Sequence, residues 1–593
     1  MLHRGPDEQN GFRFSNVDLY HLRLSILDMG GGKQPMTLHN RYTLVFNGEI
    51  YNHRDLRKQF NLTAATNSDT ETLLLLFQKI GENCLQYLDG MFAFAIYDAD
   101  EKKLFLARDR AGKKPLYFFK DEEKIVFASE LNCLKQLLPL KLNINHFYHY
   151  LRFGSFYKKA TPYFNVNELT AGSLLYIDCN NLETTEKKWW NIHDSFLHEN
   201  KDSFEEALIK TEELLHTSVK RRIESSDLEV GTFLSGGIDS GLITAIASNY
   251  VEKLRTVTVS FEGEYNEAPL AKLVANKYNT QHTEINISYK NLRDDTEQII
   301  CNYGEPFFDS SAIPSFYVSR EAKKNITVVL TGDGADELFG GYRRYIPFAK
   351  HDFFKKNKSL QFFANMFQSM LPAPNDKKTA YNQMYRFLSL AKKSGIESYL
   401  SAGMDIFEEY ENNFLSENKF YLKEVTEDFN KINNSSLSGL GKIMNLDFDI
   451  FLFNDVLVKM DIATMHNSLE ARSPFLSKEL LEYIPSIHDE YKIHGGSTKY
   501  ILRNLAKKYL PKEIIHQPKR GFEVPLKNWV NNELKDLVYD YVGASDAFGK
   551  TIIKPEFINR LLQKKIKMPA EKRAKMLWTI FCMEVWYKKV YLT

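Results

Sequence analysis

The chain has 593 residues, of which 43% are hydrophobic and 26% charged, and its formal net charge is +1. This length exceeds what one hydrophobic core usually supports, so two or more domains are expected. The balanced charge gives no reason to expect nucleic acid as a partner, and no apolar run is long enough to span a membrane. The five cysteines form no CxxC pair, which argues against a zinc site or a disulfide framework and fits a reducing cytoplasm.

Residues 1 to about 190 are predicted to be rich in β-strand. Short apolar or alternating runs are separated by turn residues such as Asn47-Gly48, a pattern typical of packed antiparallel sheets. The predicted strands are 42–46, 91–97, 103–107, 124–128 and 173–177. A helix is predicted over 70–80, with Asp69 as its N-cap or first-turn acid.

The hydrophobic period changes after a polar segment at 191–204, which we interpret as a linker. Residues 204–223 have the spacing of an amphipathic helix, and predicted strands 229–234, 256–261 and 326–330 then alternate with helices. This alternation predicts an α/β domain with a parallel sheet. From about residue 350 the chain is predicted to be mostly helical. The predicted organisation is therefore a domain over 1–190, a linker over 191–204 and a domain over 205–593.

The strongest chemical signal is the hexapeptide SGGIDS at residues 235–240, between a predicted strand and a predicted helix. Its glycines let backbone N–H groups approach an anion, and the helix N-terminus adds partial positive charge, so the loop is predicted to bind phosphate. Ser235 and Ser240 add hydroxyl donors. Asp239 is anionic, and its sensible role is to hold Mg²⁺ against the phosphates. The structural alternative is a glycine turn capped by Asp239.

A second loop, TGDGADELFGGY at residues 331–342, follows predicted strand 326–330. The loop holds three acids and four glycines, and its concentrated negative charge is unfavourable unless cations or ligands neutralise it. Loops at the carboxyl ends of neighbouring parallel strands share one crevice, so both loops are predicted to face one nucleotide, with Asp239 and Asp336 sharing Mg²⁺. An acidic surface turn is the alternative.

These loops belong to an ordered series of motifs that covers nearly the whole chain. The others are HRGPD at 3–7, RLSILD at 23–28, NGEIYN at 47–52, Ser68-Asp69, SLEARSPFL at 468–476 and KRGF at 519–522. Together they resemble the glutamine-hydrolysing asparagine synthetase family. The resemblance implies an N-terminal α+β sandwich of the Ntn-hydrolase-like αββα type, acting as a class II glutaminase. It also implies an α/β ATP-pyrophosphatase domain with a parallel sheet and a helical C-terminal extension.

The resemblance assigns glutamine binding to the N-terminal domain. Arg23 would pair with the α-carboxylate, Glu49 and Asp69 would hold the α-ammonium, and Asn47 with the Gly48 N–H would form the oxyanion hole. Asn47-Gly48 equally fits a hairpin turn. The implied glutamine-binding set is Arg23, Leu24, Ser25, Ile26, Leu27, Asn47, Gly48, Glu49 and Asp69.

ATP and Mg²⁺ are assigned to the C-terminal domain. Asp333 would contact the acyl-adenylate or assist ammonia attack, Lys519 would neutralise charge that develops on the adenylate, and Glu470 with Arg472 would form a structural ion pair. The implied ATP-binding set is Leu234, Ser235, Gly236, Gly237, Asp239, Ser240, Val259, Thr331 and Gly332, and the implied metal ligands are Asp239 and Asp336.

The nucleophile of this family is a cysteine near the N-terminus, ahead of the HRGPD motif. In this sequence only Met1 and Leu2 precede His3, and the first cysteine is Cys84. The resemblance therefore predicts that the chain as given lacks the nucleophile and the first strand of the domain. It would then use ammonia instead of glutamine.

The implied reaction is ATP-dependent amidation of L-aspartate to L-asparagine through β-aspartyl-AMP, releasing AMP and pyrophosphate. The alternative is the same chemistry on a uronic acid or another carboxylate, because Asp333 stands where the family usually has glutamate. A third hypothesis, an interaction or storage protein without catalysis, is disfavoured by the intact ATP loops. The expected partners are the small-molecule substrates and a possible second copy of the chain, without nucleic acid or membrane, in the cytoplasm.

Overall fold

A computed structural model describes residues 1–260, 266–286, 292–349, 406–415, 423–515 and 524–593, with positions 366, 371, 381, 388, 399 and 517. Its strands, in chain order, are β1 (Glu8–Arg13), β2 (Asp18–Arg23), β3 (Met36–Leu38), β4 (Tyr42–Ile50), β5 (Gly90–Asp98), β6 (Lys103–Arg108), β7 (Tyr117–Lys120), β8 (Ile125–Ala128), β9 (Val166–Glu168), β10 (Ser173–Asp178), β11 (Thr184–Lys188), β12 (Val230–Phe233), β13 (Arg255–Ser260), β14 (Gln281–Asn286), β15 (Val328–Leu330) and β16 (Glu470–Arg472).

The N-terminal part consists of four layers. A six-stranded antiparallel sheet has the order β11-β10-β6-β5-β4-β3, and the smaller sheets β8-β7-β9 and β1-β2 face it. Alternate residues of β4 point to opposite sides, so Leu44 packs with helix Asp69–Ile80 while Val45 packs towards β2 and β7. Behind the smaller sheet lie helices Leu131–Leu137 and Ile144–Phe153. The predicted αββα sandwich is confirmed.

The predicted strands of this part are all present, but the position of Asn47-Gly48 was predicted wrongly as a turn. Both residues lie inside β4, where Asn47 pairs with Ala93 and Gly48 with Phe92. Gly48 has a φ of 142°, and a Cβ at this position would collide with the backbone of β5. Glycine is therefore required here for close strand contact and not for a hairpin.

The connection between the two halves contains one short helix and leads into a long one. The segment predicted as a linker contains a helix, Ile192–Leu197, and the long helix Phe204–Glu224 begins after Ser203. The Ser203 hydroxyl accepts the Glu206 N–H and the Glu206 carboxylate accepts the Ser203 N–H, which is a complete capping box.

The C-terminal part is built on a five-stranded parallel sheet with the order β14-β13-β12-β15-β16. The strand order reverses between β12 and β15, which makes that position the topological switch point of the sheet. The predicted α/β architecture is confirmed, and helices dominate the described residues after 406.

The helices follow in chain order. Those of the N-terminal part are His53–Gln59, Asp69–Ile80, Leu131–Leu137 and Ile144–Phe153. The later α-helices are Ile192–Leu197, Phe204–Glu224, Ile238–Ala247, Ala268–Lys277, Leu292–Asn302, Ala312–Lys323, Ala335–Phe339, Ile346–Ala349, Lys423–Asn433, Gly439–Asp447, Leu457–Met465, Lys478–Tyr483, Asp489–Lys492, Tyr500–Tyr509, Lys512–Ile515, Leu526–Asn531, Lys535–Gly543, Pro555–Leu562 and Ala570–Trp586. Within the described ranges, none of the helices has both the length and the apolar content needed to cross a membrane.

The two halves pack closely against each other. Ile26 of the N-terminal part belongs to the hydrophobic core of the parallel-sheet domain. The buried guanidinium of Arg4 donates to Asp461 at 2.8 Å and to Glu130 at 3.1 Å, so it joins both halves. Because a buried charge is costly without a partner, this contact favours one relative placement of the two parts.

Replacing Ser203 with alanine should loosen the first turn of helix Phe204–Glu224. Loss of such a cap costs about 1 kcal/mol, which corresponds to roughly fivefold faster exchange of the amides of that turn when they exchange by local opening. Hydrogen exchange of the peptide that spans this turn measures the effect. Ser203→Gly is the matched control, because glycine at an N-cap costs only a few tenths of a kcal/mol. Equal exchange in the alanine variant and the wild type would contradict the capping role.

Candidate active site

The two predicted nucleotide loops meet at one edge of the parallel sheet. The loop 235–240 follows β12 and the loop 331–342 follows β15, and these strands are hydrogen-bonded parallel neighbours. A Cβ added at Gly332 would lie 3.1 Å from the Cβ of Asp239, so the loops are in contact. Both loops therefore lie together at the carboxyl end of the sheet, as predicted, whereas their contact with one nucleotide stays a prediction.

The first loop has the geometry of a compact strand-to-helix turn. The hydroxyls of Ser235 and Ser240 are 2.9 Å apart, and the Gly237 N–H donates to the Ser235 hydroxyl at 3.2 Å. Gly237 is the N-cap of the ten-residue helix Ile238–Ala247. A side chain at Gly236 would come within 2.9 Å of Leu270. The sequence therefore packs the turn tightly and points the helix N-terminus at the crevice, an arrangement that favours an anion.

The remaining predicted ATP residues surround the same strand ends. Leu234 continues from β12, where its N–H donates to the Val257 carbonyl at 2.9 Å and its carbonyl accepts the Thr258 hydroxyl. Val259 is buried in the adjacent strand β13. Thr331 follows β15, and its N–H donates to the Arg472 carbonyl at 2.8 Å. These residues lie at the carboxyl end of the sheet, beside the two loops. Their contacts with a nucleotide stay a prediction.

Asp239 and Asp336 are brought together by a lysine that the sequence did not identify. The Lys499 Nζ lies 2.6 Å from Asp239 and 2.7 Å from Asp336. Its side chain is only 4% exposed, and its backbone has a φ of 52°, which is uncommon for a residue other than glycine. The only sequence signal is a lysine in place of the usual capping residue ahead of helix Tyr500–Tyr509.

The two aspartates suit a magnesium ion by their chemistry. Both present a carboxylate oxygen to one point, now contacted by the Lys499 ammonium, and Mg²⁺ prefers oxygen ligands. Among the residues that the structure describes, no group of three or more potential metal ligands occurs. Mg²⁺ typically binds through one or two carboxylates together with substrate phosphates and water, so two aspartates are sufficient for such a site.

Of the two catalytic residues predicted for the synthetase reaction, Asp333 lies in the second loop and Lys519 lies outside the described residues. The Asp333 Oδ2 accepts the Thr331 hydroxyl at 2.7 Å and the Ser473 hydroxyl at 3.3 Å. The Lys113 Nζ, from the N-terminal part, is 3.2 Å from the same oxygen. Asp333 is thus held at the boundary between the two halves.

The predicted glutamine residues line one cavity of about 860 Å³ in the N-terminal part. Residues Arg23, Leu24, Ile26, Leu27, Asn47, Gly48, Glu49 and Asp69 all line it. The backbone N–H of Ser25, which does not line it, donates to Asp7 at 2.8 Å. Met465 and Glu470 of the C-terminal part also contribute to the wall, so the cavity extends to the domain boundary.

Glu49 and Asp69 form a buried acidic pair in this cavity. Burial and the charge of Asp69 raise the pKa of Glu49 well above its usual value, although Arg472 opposes this shift. Burial raises the pKa of Asp69 to about 6. The Arg472 guanidinium contacts Glu49 at 3.1 Å and Glu470 at 2.8 Å. The predicted pair of Glu470 and Arg472 is therefore present, and it extends across the domain boundary.

Two other polar side chains of the cavity, those of Arg23 and Asn47, have protein partners. The Arg23 guanidinium donates to Glu8 at 3.1 Å and to the backbone carbonyls of Leu27, Asp28 and Met29. The Asn47 side-chain amide donates to the Ser129 hydroxyl at 3.3 Å. Arg23 thus shapes the loop after β2, and its contact with a ligand carboxylate stays a prediction.

Of the five cysteines, Cys133 and Cys179 line the cavity, whereas Cys84 lies in the core beside helix Asp69–Ile80. Burial raises the pKa of all three of these thiols. A raised pKa disfavours the thiolate, which is the reactive form of cysteine. The prediction that Cys84 is not a nucleophile agrees with its position.

Comparison with known proteins identifies the family. Residues 210–588 match the asparagine synthase family, and residues 1–190 match the glutamine amidotransferase domain family. The chain belongs to the asparagine synthase family. It is 31% identical to "Asparagine synthetase [glutamine-hydrolyzing] 1" of Bacillus subtilis over 99% of this chain and 92% of that protein. It is also 31% identical to "Putative asparagine synthetase [glutamine-hydrolyzing]" of Mycobacterium tuberculosis, again over 99% and 92%. Identity to "Asparagine synthetase B [glutamine-hydrolyzing]" of Escherichia coli is 32% over 58% of this chain and 60% of that protein.

Asp69 should give this asparagine synthase family member a recognisable pH dependence of stability. Its pKa rises from 3.8 to about 6 on folding, so the folded state binds this proton more tightly than the unfolded state. Stability should therefore fall as the pH rises from about 4 to about 6, and Asp69→Asn should reduce that decline. Urea unfolding at several pH values measures the slope of the free energy of unfolding against pH.

The control for this measurement is Asp121→Asn. Backbone hydrogen bonds from Glu123 and Lys124 lower the pKa of Asp121, so this carboxyl is already ionised in the same pH range. Asp121→Asn should leave the slope unchanged. An Asp69→Asn variant with the slope of the wild type would show that Asp69 does not titrate in this range.

Proposed function

We propose that the protein forms L-asparagine from L-aspartate and ATP through β-aspartyl-AMP, releasing AMP and pyrophosphate, with glutamine or ammonia as the nitrogen source. The observation that carries the proposal is the meeting of the loops 235–240 and 331–342 at the switch point of the sheet, with Asp239 and Asp336 both contacting Lys499. Phosphate-binding groups and acids together at the carboxyl ends of two neighbouring strands fit a nucleotide whose phosphates carry a metal ion. The family membership and the Bacillus subtilis relative, by name a glutamine-hydrolysing asparagine synthetase, support the same reaction.

In the first step an oxygen of the acceptor carboxylate attacks the α-phosphorus of ATP, and the bond to pyrophosphate breaks. Ser235, Gly237 and Ser240 offer donors to the phosphates at the N-terminus of helix Ile238–Ala247. The Lys499 ammonium, fixed by two aspartates, stabilises the negative charge that develops on the departing pyrophosphate. Asp239 and Asp336 would hold Mg²⁺, which would supply neutralisation of the phosphate charge.

In the second step ammonia attacks the acyl carbon, and the bond from that carbon to the AMP oxygen breaks. The attacking nitrogen must lose a proton, and Asp333 is the carboxylate of the second loop that is fixed at the domain boundary. We assign to it the acceptance of that proton or the orientation of the attacking nitrogen.

Glutamine occupies the 860 Å³ cavity in this scheme. The buried carboxyls of Glu49 and Asp69 lie close enough for each to influence the pKa of the other, and a positively charged α-ammonium would relieve their mutual repulsion. In this scheme Asn47 and the Gly48 N–H donate to the side-chain amide oxygen of the bound glutamine. Arg23 binds the α-carboxylate after exchanging part of its backbone contacts.

The proposed reaction is tested by AMP formation with a panel of carboxylates and ammonium as the nitrogen source. We expect AMP and pyrophosphate in equal amounts with L-aspartate, and asparagine in the same amount as AMP. A uronic acid, L-glutamate and succinate complete the panel. AMP formation with the uronic acid but not with aspartate would show that the alternative acceptor is correct. ADP and phosphate in place of AMP and pyrophosphate would contradict the adenylate mechanism itself.

Replacing Lys499 with methionine should lower kcat for AMP formation on the order of 10²-fold, because the lysine charge is needed when the pyrophosphate leaves. The KM for ATP should change much less than kcat. Lys519→Met is the comparison, since Lys519 is the lysine that the family motif assigns to this role. If Lys519→Met shows the large loss and Lys499→Met turns over normally, the charge comes from Lys519 and the assignment to Lys499 is wrong.

A further inference from the structure

The loop between β6 and β7 extends from the N-terminal part into the candidate synthetase site. Its Lys113 Nζ lies 3.2 Å from the Asp333 Oδ2, although the two residues are far apart in sequence. The side chain of Lys113 is 4% exposed and that of Asp333 is 13% exposed. An ion pair with so little access to water is not screened like a surface pair, so the loss of one partner leaves a charge that is costly to bury.

The backbone of this loop is fixed by one buried carboxylate. Asp109 accepts four backbone N–H groups, from Phe92 at 3.1 Å, Ala111 at 3.1 Å, Lys113 at 2.9 Å and Lys114 at 3.0 Å. Two of these donors belong to the consecutive lysines themselves. The fold of the N-terminal part therefore fixes the backbone of Lys113 and with it the direction in which the side chain projects from the loop.

Two further contacts attach the loop to the C-terminal part. The Lys114 Nζ is 3.4 Å from Asp461, the same carboxylate that Arg4 binds. Gly112 has a φ of 72°, and a Cβ at this position would lie 2.5 Å from the ring of Phe453. The loop thus fits against the C-terminal part with no room for a side chain at position 112, which restrains Lys113 relative to the sheet that carries Asp333.

The contacts of Asp333 converge on one oxygen. Its Oδ2 accepts the Thr331 hydroxyl and the Ser473 hydroxyl and also contacts Lys113. Lys459 is a second nearby cation, and Asp333 contributes to the raised pKa of Lys459, but its ammonium is bound to Asp309 at 2.7 Å. Lys113 is therefore the lysine in direct contact with Asp333.

We propose that Lys113 is a positioning residue for the synthetase reaction, supplied by the glutaminase-type domain to hold the Asp333 carboxylate in one orientation. The inference rests on the proposed function, because it gives Asp333 a role in amide formation. Its consequence is that the synthetase site depends on the N-terminal domain even when free ammonia replaces glutamine. The glutaminase-type domain then has two tasks, of which one needs no glutamine chemistry.

The test uses the full chain with ATP, L-aspartate and ammonium, so that glutamine hydrolysis plays no part. Lys113→Met should lower kcat for asparagine formation on the order of 10²-fold, with a smaller change in the KM for aspartate. Lys113→Arg, which keeps the charge, should recover at least tenfold of this loss. Lys120→Met removes a lysine from the same domain, where it donates to Thr184, and should leave turnover unchanged.

A double-mutant cycle with Asp333→Asn separates positioning from a general structural effect. If Lys113 acts through Asp333, the double variant should be no slower than Asp333→Asn alone, within about twofold. Additive losses, or wild-type turnover by Lys113→Met, would overturn the inference while leaving the proposed function intact. A wild-type protein that forms no AMP with any acceptor would overturn the proposed function first. Lys113→Gln replaces the methionine variant if the latter does not fold, as judged by near-ultraviolet circular dichroism.

Discussion

The parallel pairing of β12 with β15 is the constraint on which the candidate active site depends. It brings the carboxyl ends of two strands, separated by nearly a hundred residues of chain, to one edge of the sheet. The helix after β12 then points its N-terminus at the crevice, and the acidic loop after β15 lies against it. The resulting concentration of aspartates is stable because Lys499 lies between Asp239 and Asp336.

Buried charges also connect the two halves of the protein. Arg472 contacts Glu49 in the N-terminal cavity, Lys113 contacts Asp333 in the candidate active site, and Asp461 joins Arg4 to Lys114. Each of these pairs has one partner on either side of the boundary. An unpaired buried charge is costly, so separation of the domains would be resisted at several points. The same contacts give each site a direct electrostatic link to the other domain.

Local sequence patterns predicted much of this architecture because each pattern reports on nearby residues. The alternating run at 42–46 lies within β4, and the apolar run at 229–234 contains β12 with its loop directly behind it. Asn47-Gly48 was predicted wrongly as a turn because its local signal is overridden by pairing with β5, which requires glycine for close backbone contact. The polar segment 191–204 contains a short helix that was not predicted. Its Asn191 cap is a local signal, but the packing of Ile192 in the core of the parallel-sheet domain depends on the tertiary fold.

Lys499 and Lys113 could not be singled out from local sequence patterns. Lys499 and Lys113 acquire their proposed roles from carboxylates that are distant in sequence, and neither stands in a motif that separates it from other lysines. Asp239 and Asp336 were predictable because acids beside glycines after a strand are unusual. An anionic loop can thus be predicted from sequence, whereas the cation that balances it depends on the tertiary fold.

Transfer of a heavy oxygen isotope from the acceptor tests the adenylate mechanism most directly. L-Aspartate labelled in both oxygens of its β-carboxylate is converted with ATP and ammonium, and the products are analysed by mass spectrometry. Our account predicts one labelled oxygen in AMP and none in pyrophosphate, because the acceptor oxygen stays on the α-phosphorus when nitrogen attacks the acyl carbon. Unlabelled AMP, or label in inorganic phosphate accompanied by ADP, would contradict it.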